Sequence, residues 1–275
     1  MDSNNITNIS NRTNINLLDF RELVKYKSLL YFLVLRDVKV FYKQSILGFS
    51  WAVLRPFISM VIFTIIFGMI AGIKGDGLPY SVATYTALIP WTYFSGCVTA
   101  SGSSLLLNSN ILNKVYFPRI IFPIVPILSK FVDFILSFSM LIILMAWYKI
   151  MPTTQIIYIP FLIIVTMIFS LGLGFAISAM SVQYRDVNHA MQFMIQILMY
   201  ASPIIWPLSY VPEKYMFIYS YYPMAGVIEG FRSCLSGNTQ FPWDMLLKGF
   251  IVSVILFFVG LYIFKKMEKI FADVI

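Results

Sequence analysis

Charged side chains are scarce in this chain. Only 12% of its 275 residues are Asp, Glu, Lys or Arg, and 59% are apolar. A soluble domain carries about a quarter charged residues, so the composition excludes a water-soluble globule. Histidine occurs once, at His189, which excludes a multi-histidine metal centre or a histidine relay. As a lone polar residue at the entry to an apolar run, His189 reads as structural. The two cysteines, Cys97 and Cys234, lack the clustered spacing of a disulfide framework or a zinc site, and read as small buried residues. No GxxxxGK[ST] cradle for a nucleotide is present. Gly172-Leu173-Gly174 sits inside an apolar run with no strand before it, so it is not a dinucleotide fingerprint. Carboxylates are almost absent from the deep parts of the apolar runs, which leaves no relay for proton or ion coupling. The first 19 residues are polar and rich in Asn, without the apolar core of a signal peptide; a disordered cytoplasmic tail is expected over 1–19, with a single transmembrane domain over 20–275.

Long apolar runs are abundant instead. About 20 apolar residues cross a bilayer, and such segments must be helical because lipid leaves no partner for exposed backbone groups. The dyad alternation of a membrane barrel is missing. The expected fold is an all-α membrane protein with six transmembrane helices, over about 56–73, 80–107, 124–148, 156–182, 189–208 and 245–264. With the N-terminus inside, the loops on the cytoplasmic side hold 15 of the 20 Lys and Arg. That asymmetry orients the chain with both termini in the cytoplasm. The net charge of +8 then reflects loops beside anionic lipid rather than a nucleic-acid partner.

Four stretches stand out against this background. Residues 20–54 mix apolar and basic residues; Arg36, Lys39 and Lys43 share one helical face, opposite Val34, Val38 and Phe41. That pattern predicts an N-terminal interfacial amphipathic helix. The second span carries Thr84, Thr86, Thr92, Ser95, Thr99, Ser101, Ser103 and Ser104. Hydroxyls gain nothing from lipid and should face other helices or a wet path; Pro90 should kink or break this helix. The segment 108–126 is a short basic, proline-marked interruption in which Lys114 and Arg119 bracket Val115, Tyr116, Phe117 and Pro118. It is expected to face the cytoplasm and dock onto a partner that supplies energy. Residues 206–237, rich in Pro and Tyr, are too broken to span and too apolar to be a free loop. A pair of short interfacial or re-entrant helices fits. Their rings suit either an aromatic belt or a sugar path, because Tyr and Trp join an apolar face to a polar tip. Lys130 and Asp133, three apart, should neutralise each other, and the Gly68/Gly72 pair permits close helix contact.

Several ordered motifs resemble the permease subunits of bacterial polysaccharide-export ABC transporters. They are Leu35-Arg36-Asp37-Val38-Lys39 with Leu47-Gly48-Phe49-Ser50-Trp51, then Ile89-Pro90-Trp91-Thr92-Tyr93-Phe94-Ser95. Lys114-Val115-Tyr116-Phe117-Pro118-Arg119, Tyr184-Arg185-Asp186-Val187 and Pro223-Met224 with Gly230-Phe231-Arg232 follow. The resemblance implies a homodimer in the bacterial inner membrane above two ATP-binding cassette subunits. ATP and Mg would sit on those partners, with no cofactor or catalytic residue in this chain. The cargo would be a lipid-linked polysaccharide such as O-antigen or capsule. Lys114–Arg119 and Tyr184–Val187 would couple to the ATPase; Trp91, Tyr93, Phe94, Trp206 and Tyr210 would line the glycan path. Pro212, Tyr219, Tyr222, Pro223, Glu229 and Arg232 would form the external gate. Tyr222 departs from the family, where Asn is usual before this proline. The competing expectations are a permease of the same class for another amphiphile, such as a teichoic-acid precursor or a drug, and a secondary transporter.

Overall fold

The computed structural model describes residues 24–43, 47–112, 117–184, 186–236, 240–269 and 271. The tail 1–19 and the coupling candidates Lys114, Val115, Tyr116 and Arg185 lie outside the described residues. Among the described residues every regular element is helical, apart from one isolated bridge between Gly75 and Leu78.

The chain opens with α1 (Lys27–Lys43), then enters α2 (Ser50–Phe63), which widens into a π-helical turn, Thr64–Ile70. It returns along α3 (Tyr80–Leu107), turns through Ser109–Leu112, and goes back along α4 (Ile121–Trp147). A 3-10 turn, Thr154–Tyr158, leads into α5 (Ile159–Gln183), followed by α6 (Asp186–Ala201). Two short helices, α7 (Glu213–Ser220) and α8 (Pro223–Ser236), precede α9 (Trp243–Met267).

Among the described residues four helical stretches are long and apolar enough to cross a membrane: Ser50–Ile70, Ile121–Trp147, Thr154–Gln183 and Trp243–Met267. The remaining two expected spans differ. Helix α3 has 28 residues, long enough to span at 1.5 Å per residue, but its hydroxyls lower its apolar character. Helix α6 has only 16 residues, about 24 Å. It stops at Ala201 rather than near 208 because Pro203 disfavours helical backbone at Ser202.

Helix α3 is the axis of the bundle. It packs on α2, α4, α5, α6 and α8, and most of its length is buried. It runs unbroken through Pro90, where the sequence had suggested a kink or a break. Its neighbours on every side supply the packing that an isolated proline-containing helix lacks. Apart from Thr84, which is buried, the hydroxyls named above divide into two sets. Thr86, Ser101 and Ser104 are buried and bond to carbonyl oxygens; Ser101 Oγ donates across to Pro123 of α4 at 2.8 Å. Thr92, Ser95, Thr99 and Ser103 recur every three or four residues on a half-buried face.

Two prolines and two glycines show what the packing required. Pro56 lies inside α2, not in its first turn. It cannot donate to the Ala52 carbonyl, and Ser137 Oγ of α4 fills that vacancy at 2.8 Å. Gly68 and Gly72 do not act as one helix-pairing motif. A Cβ on Gly68 would lie 2.9 Å from the Tyr80 ring, whereas Gly72 ends the π turn at φ +68° in open space. The close helix contact lies elsewhere, between Gly172 of α5 and Gly260 of α9, where the backbones touch.

Two apolar clusters result. The larger fills the middle of the bundle around α3. The smaller sits at the end that holds α1 and gathers Leu33, Phe117, Phe122, Phe175, Phe264 and Phe271.

Candidate functional site

A half-enclosed groove of about 1100 Å³ opens at the α1 end. One wall is the half-buried hydroxyl face of α3, with Thr92, Ser95, Thr99 and Ser103. The opposite side is built by α1 and the turn that follows it, by the first turns of α2 with Trp51 and Arg55, and by Lys130, Asp133 and Ser137 of α4. Ile195 of α6 stands at the rim.

The groove is mostly apolar in its lining, and its few charges are held in place. Arg36 turns inward, away from the exposed Lys39 and Lys43. Its guanidinium binds Asp37 at 2.8 Å and the Asn108 side-chain oxygen at 2.9 Å. That contact ties α1 to the end of α3. The Lys130 ammonium donates to Asp133 at 2.9 Å, and the Tyr42 hydroxyl donates to the other oxygen of the same carboxylate. The expected Lys130–Asp133 pair therefore forms, and its carboxylate also anchors the last turn of α1 through Tyr42. Tyr42 in turn stacks on Phe49, with centroids 3.8 Å apart. The Lys130 stem crosses Gly96, where a Cβ would sit 3.6 Å from its Cδ. The Arg55 guanidinium lies 5.9 Å over the Trp51 ring and makes no ion pair among the described residues. Three cations thus face two carboxylates.

The candidate path residues separate. Tyr93 lines the groove, its hydroxyl donating to the Ile127 carbonyl at 2.9 Å. Trp91 and Phe94 are buried inside the bundle, and Phe94 stacks on Phe169 at 4.9 Å. Trp206 and Tyr210 lie at the opposite end of the molecule. There the Lys74 backbone N–H donates to the Tyr210 oxygen at 3.5 Å.

That far end is held by Arg232 of α8, which is 5% exposed. Its guanidinium reaches the carbonyl oxygens of Ala83 at 3.4 Å and Ile204 at 3.1 Å, and Glu229 at 3.4 Å. One side chain therefore joins α8, the first turn of α3 and the segment after α6. Pro223 is buried. Tyr219 donates to the Ala201 carbonyl, and Tyr222 shares a hydrogen bond with Ser202 at 3.0 Å. Pro212 precedes α7, whose Tyr215, Phe217 and Ile218 are exposed.

Of the coupling candidates, Phe117 is buried and packs on Phe122 at 5.3 Å. Pro118 is half-buried beside it. Arg119 donates to the Glu268 carbonyl at 3.0 Å and lies 5.8 Å over the Phe271 ring. Tyr184 and Asp186 are exposed at the same end, with Val187 half-buried. Sequence reasoning did not single out Tyr42, Arg55 and Asn108 as site residues. The signal for Arg55 was its place one helical turn after Trp51; Asn108 heads the singled-out segment 108–126 and Tyr42 sits in a family-like Tyr42-Lys43-Gln44-Ser45 run, but nothing local named their partners.

A multi-pass helical bundle with a hydroxylated, charged groove at one end describes a membrane transport subunit. The chain belongs to the ABC-2 type transporter family, whose sequence pattern it matches over residues 28–235. It is 28% identical over 242 residues to the O-antigen export system permease protein RfbA of Klebsiella pneumoniae, covering 87% of this chain and 92% of that protein. It is 26% identical over 255 residues to the protein of the same name from Myxococcus xanthus, covering 92% and 97%. The polysialic acid transport protein KpsM of Escherichia coli is 24% identical over 245 residues, covering 86% and 92%.

Proposed function

We propose that this chain is the transmembrane subunit of an ATP-driven exporter that carries a lipid-linked polysaccharide out of the cytoplasm. The observation that carries this reading is the groove: a hydroxyl face, ring edges and fixed cations at one membrane face suit an amphiphile with a sugar chain and an anionic link. The names of the similar proteins, O-antigen permeases and a polysialic acid transporter, support a polysaccharide cargo.

In this reading six helices span the inner membrane, with α3 and α6 added to the four apolar ones, and both termini are cytoplasmic. The α1 end with its basic residues then faces the cytoplasm, with Lys39 and Lys43 toward lipid headgroups. Helices α7 and α8 form an external gate that Arg232 and Glu229 hold. Two copies of the chain assemble above two ATP-binding subunits, which hold ATP and Mg. The segments 114–119 and 184–187 receive their movement. Phe117 and Arg119 pass it on, because both touch the cluster that joins α1, α4, α5 and α9. The grooves of the two copies face a shared path, with Tyr93 on its wall.

The test is the location of glycan in a strain lacking this gene. Glycan held inside on its lipid carrier, with none at the surface, is the expected result. Unchanged surface glycan overturns the cargo assignment.

A further inference from the structure

We infer that Asn188 is the joint that passes movement of the 184–187 segment to the groove face of α3. The inference rests on the export reading, in which an ATP-binding partner bears on that segment, and names the side chain that receives the push. Helix α5 ends at Gln183 and α6 begins at Asp186. The segment therefore has no slack, and its displacement must carry the first turn of α6 with it. Asn188 stands in that turn. Its side-chain oxygen accepts hydrogen bonds from the Ser103 hydroxyl of α3 at 3.4 Å and the Ser181 hydroxyl of α5 at 3.2 Å. One amide oxygen thus joins three helices. The Ser181 arm crosses 7 positions and closes the α5–α6 turn locally. The Ser103 arm crosses 85 and ends on the groove wall. A fastener for the turn would need only the first arm. The second ties whatever moves the turn to the surface that lines the groove.

Packing one turn further along supplies a fulcrum. Met191 is the one buried residue of α6. It sits over Gly102 of α3, where a Cβ would lie 2.8 Å from the Met191 sulfur and 2.7 Å from Ile177 of α5. Asn188, Met191, Ile195 and Leu198 recur at three and four residues, so they share the inward face of α6. Beyond Met191 that face is only half-buried, and the opposite face, with Phe193, Ile197 and Tyr200, is exposed. Apolar side chains gain little from one another over lipid and fix no register, whereas a hydrogen bond binds one atom to another. Asn188 therefore sets how α6 sits against α3 at the α1 end, with Met191 as the point about which it turns.

The experiment uses the chain co-purified with its ATP-binding partner, carrying Cys97→Ser, Cys234→Ser and Thr99→Cys in the groove. It reads maleimide labelling of the groove thiol with and without ATP. ATP is expected to change the labelling rate severalfold in this parent, and Asn188→Ala to abolish the change while ATP hydrolysis persists. In cells Asn188→Ala should lower surface glycan about tenfold at unchanged membrane level. Ser103→Ala should do the same, and the double variant no worse, because both break one bond. Ser181→Ala leaves the Ser103 arm intact, so it should lower the melting temperature and keep the ATP response. Asn188→Asp keeps an acceptor for both hydroxyls and suits a first helical turn, so it should recover most of the response. Equal labelling with and without ATP in the parent overturns the joint, and so does an unchanged ATP response in Asn188→Ala. Additive losses from Asn188→Ala and Ser103→Ala overturn it too, because Ser103 would then act as a separate contact. Equal falls in melting, hydrolysis and ATP response for Asn188→Ala and Ser181→Ala mark a fastener and overturn it as well. If Asn188→Ala does not reach the membrane, Ser103→Ala decides, since Asn188 and Ser181 stay paired in it; an unchanged ATP response there overturns the joint. The two readings fail separately. An ATP response that depends on Asn188, in a protein whose deletion leaves surface glycan unchanged, refutes export alone. Loss of surface glycan on deletion, with normal export and ATP response in Asn188→Ala, refutes the joint alone.

Discussion

Replacing Arg232 with Met tests whether one buried guanidinium holds the α8 end together. Met keeps much of the volume and removes every donor. The Ala83 and Ile204 carbonyl oxygens lose their guanidinium partner, and Glu229, with a side chain only 14% exposed, loses its cation. Breaking a buried pair from one side costs about 3–5 kcal/mol, and each carbonyl left without its donor adds on the order of 1 kcal/mol. Even the lower bound of about 3 kcal/mol corresponds to a fall in Tm of about 6–12 °C for a chain of this size. Glu229→Gln in the Arg232→Met background removes the uncompensated charge, and should restore about half of the loss while the carbonyls remain without the guanidinium. The two free cysteines provide the readout, since both are buried. Cys234 lies on α8 beside Arg232 and Cys97 lies on α3. A maleimide dye should therefore label Cys234 before Cys97 when Arg232→Met is heated, each followed with the other changed to Ser. Melting within about 2 °C of the wild type, or simultaneous labelling of both thiols at the wild-type temperature, would refute the clamp.

Other perturbations follow from particular contacts. A Cβ on Gly172 would lie 2.7 Å from backbone atoms of Leu256 and Phe257, so Gly172→Ala must push α5 and α9 apart and cost about 1–3 kcal/mol; Gly96→Ala, with its nearest neighbour at 3.6 Å, should melt near the wild type. Ser137→Ala removes the donor that serves the Ala52 carbonyl above Pro56 and should cost about 1–2 kcal/mol, seen as a lower melting temperature. Arg119→Ala frees the 117–119 segment from Glu268 and Phe271; surface glycan should fall severalfold at unchanged membrane level of the protein, while ATP hydrolysis by the partner persists. Lys149 ends α4 at φ +56°, with Ile150 N–H bonded to Met145 and Lys149 N–H to Ala146. This is the left-handed helix end that glycine prefers; relief of about 1–2 kcal/mol of strain, less glycine's entropic cost of about 0.5–1 kcal/mol, means that Lys149→Gly should stabilise by about 0.5–1 kcal/mol in thermal melting.

The apolar helices were legible because the membrane imposes a local rule: about 20 apolar residues, internally bonded, read directly from the chain. The helix over 27–43 and the Lys130–Asp133 pair were legible for the same reason, since a 3.6-residue period fixes which neighbours share a face. The hydroxyls of α3 pointed to helix contacts or a wet path; one face of the helix makes the contacts, and a second lines the groove. The end of α6 was misplaced by several residues because apolar content continued past Ala201 while Pro203 stopped the backbone. The GxxxG spacing misled because its two glycines serve a ring and a helix end, which spacing alone does not distinguish.

What the amino-acid sequence determined by itself was therefore the apolar helices and the basic end, while its expectation of six spans meets four helices of sufficient length and apolarity among the described residues. Each depends on residues within a few turns of one another. The tertiary structure alone decided the groove and the clamp. Arg36 meets Asn108 across 72 positions, Tyr42 meets Asp133 across 91, and Arg232 meets Ala83 across 149. These partners carry no mutual signal along the chain; they meet because α3 is held at the centre by packing on its neighbours, and that packing depends on the whole bundle at once.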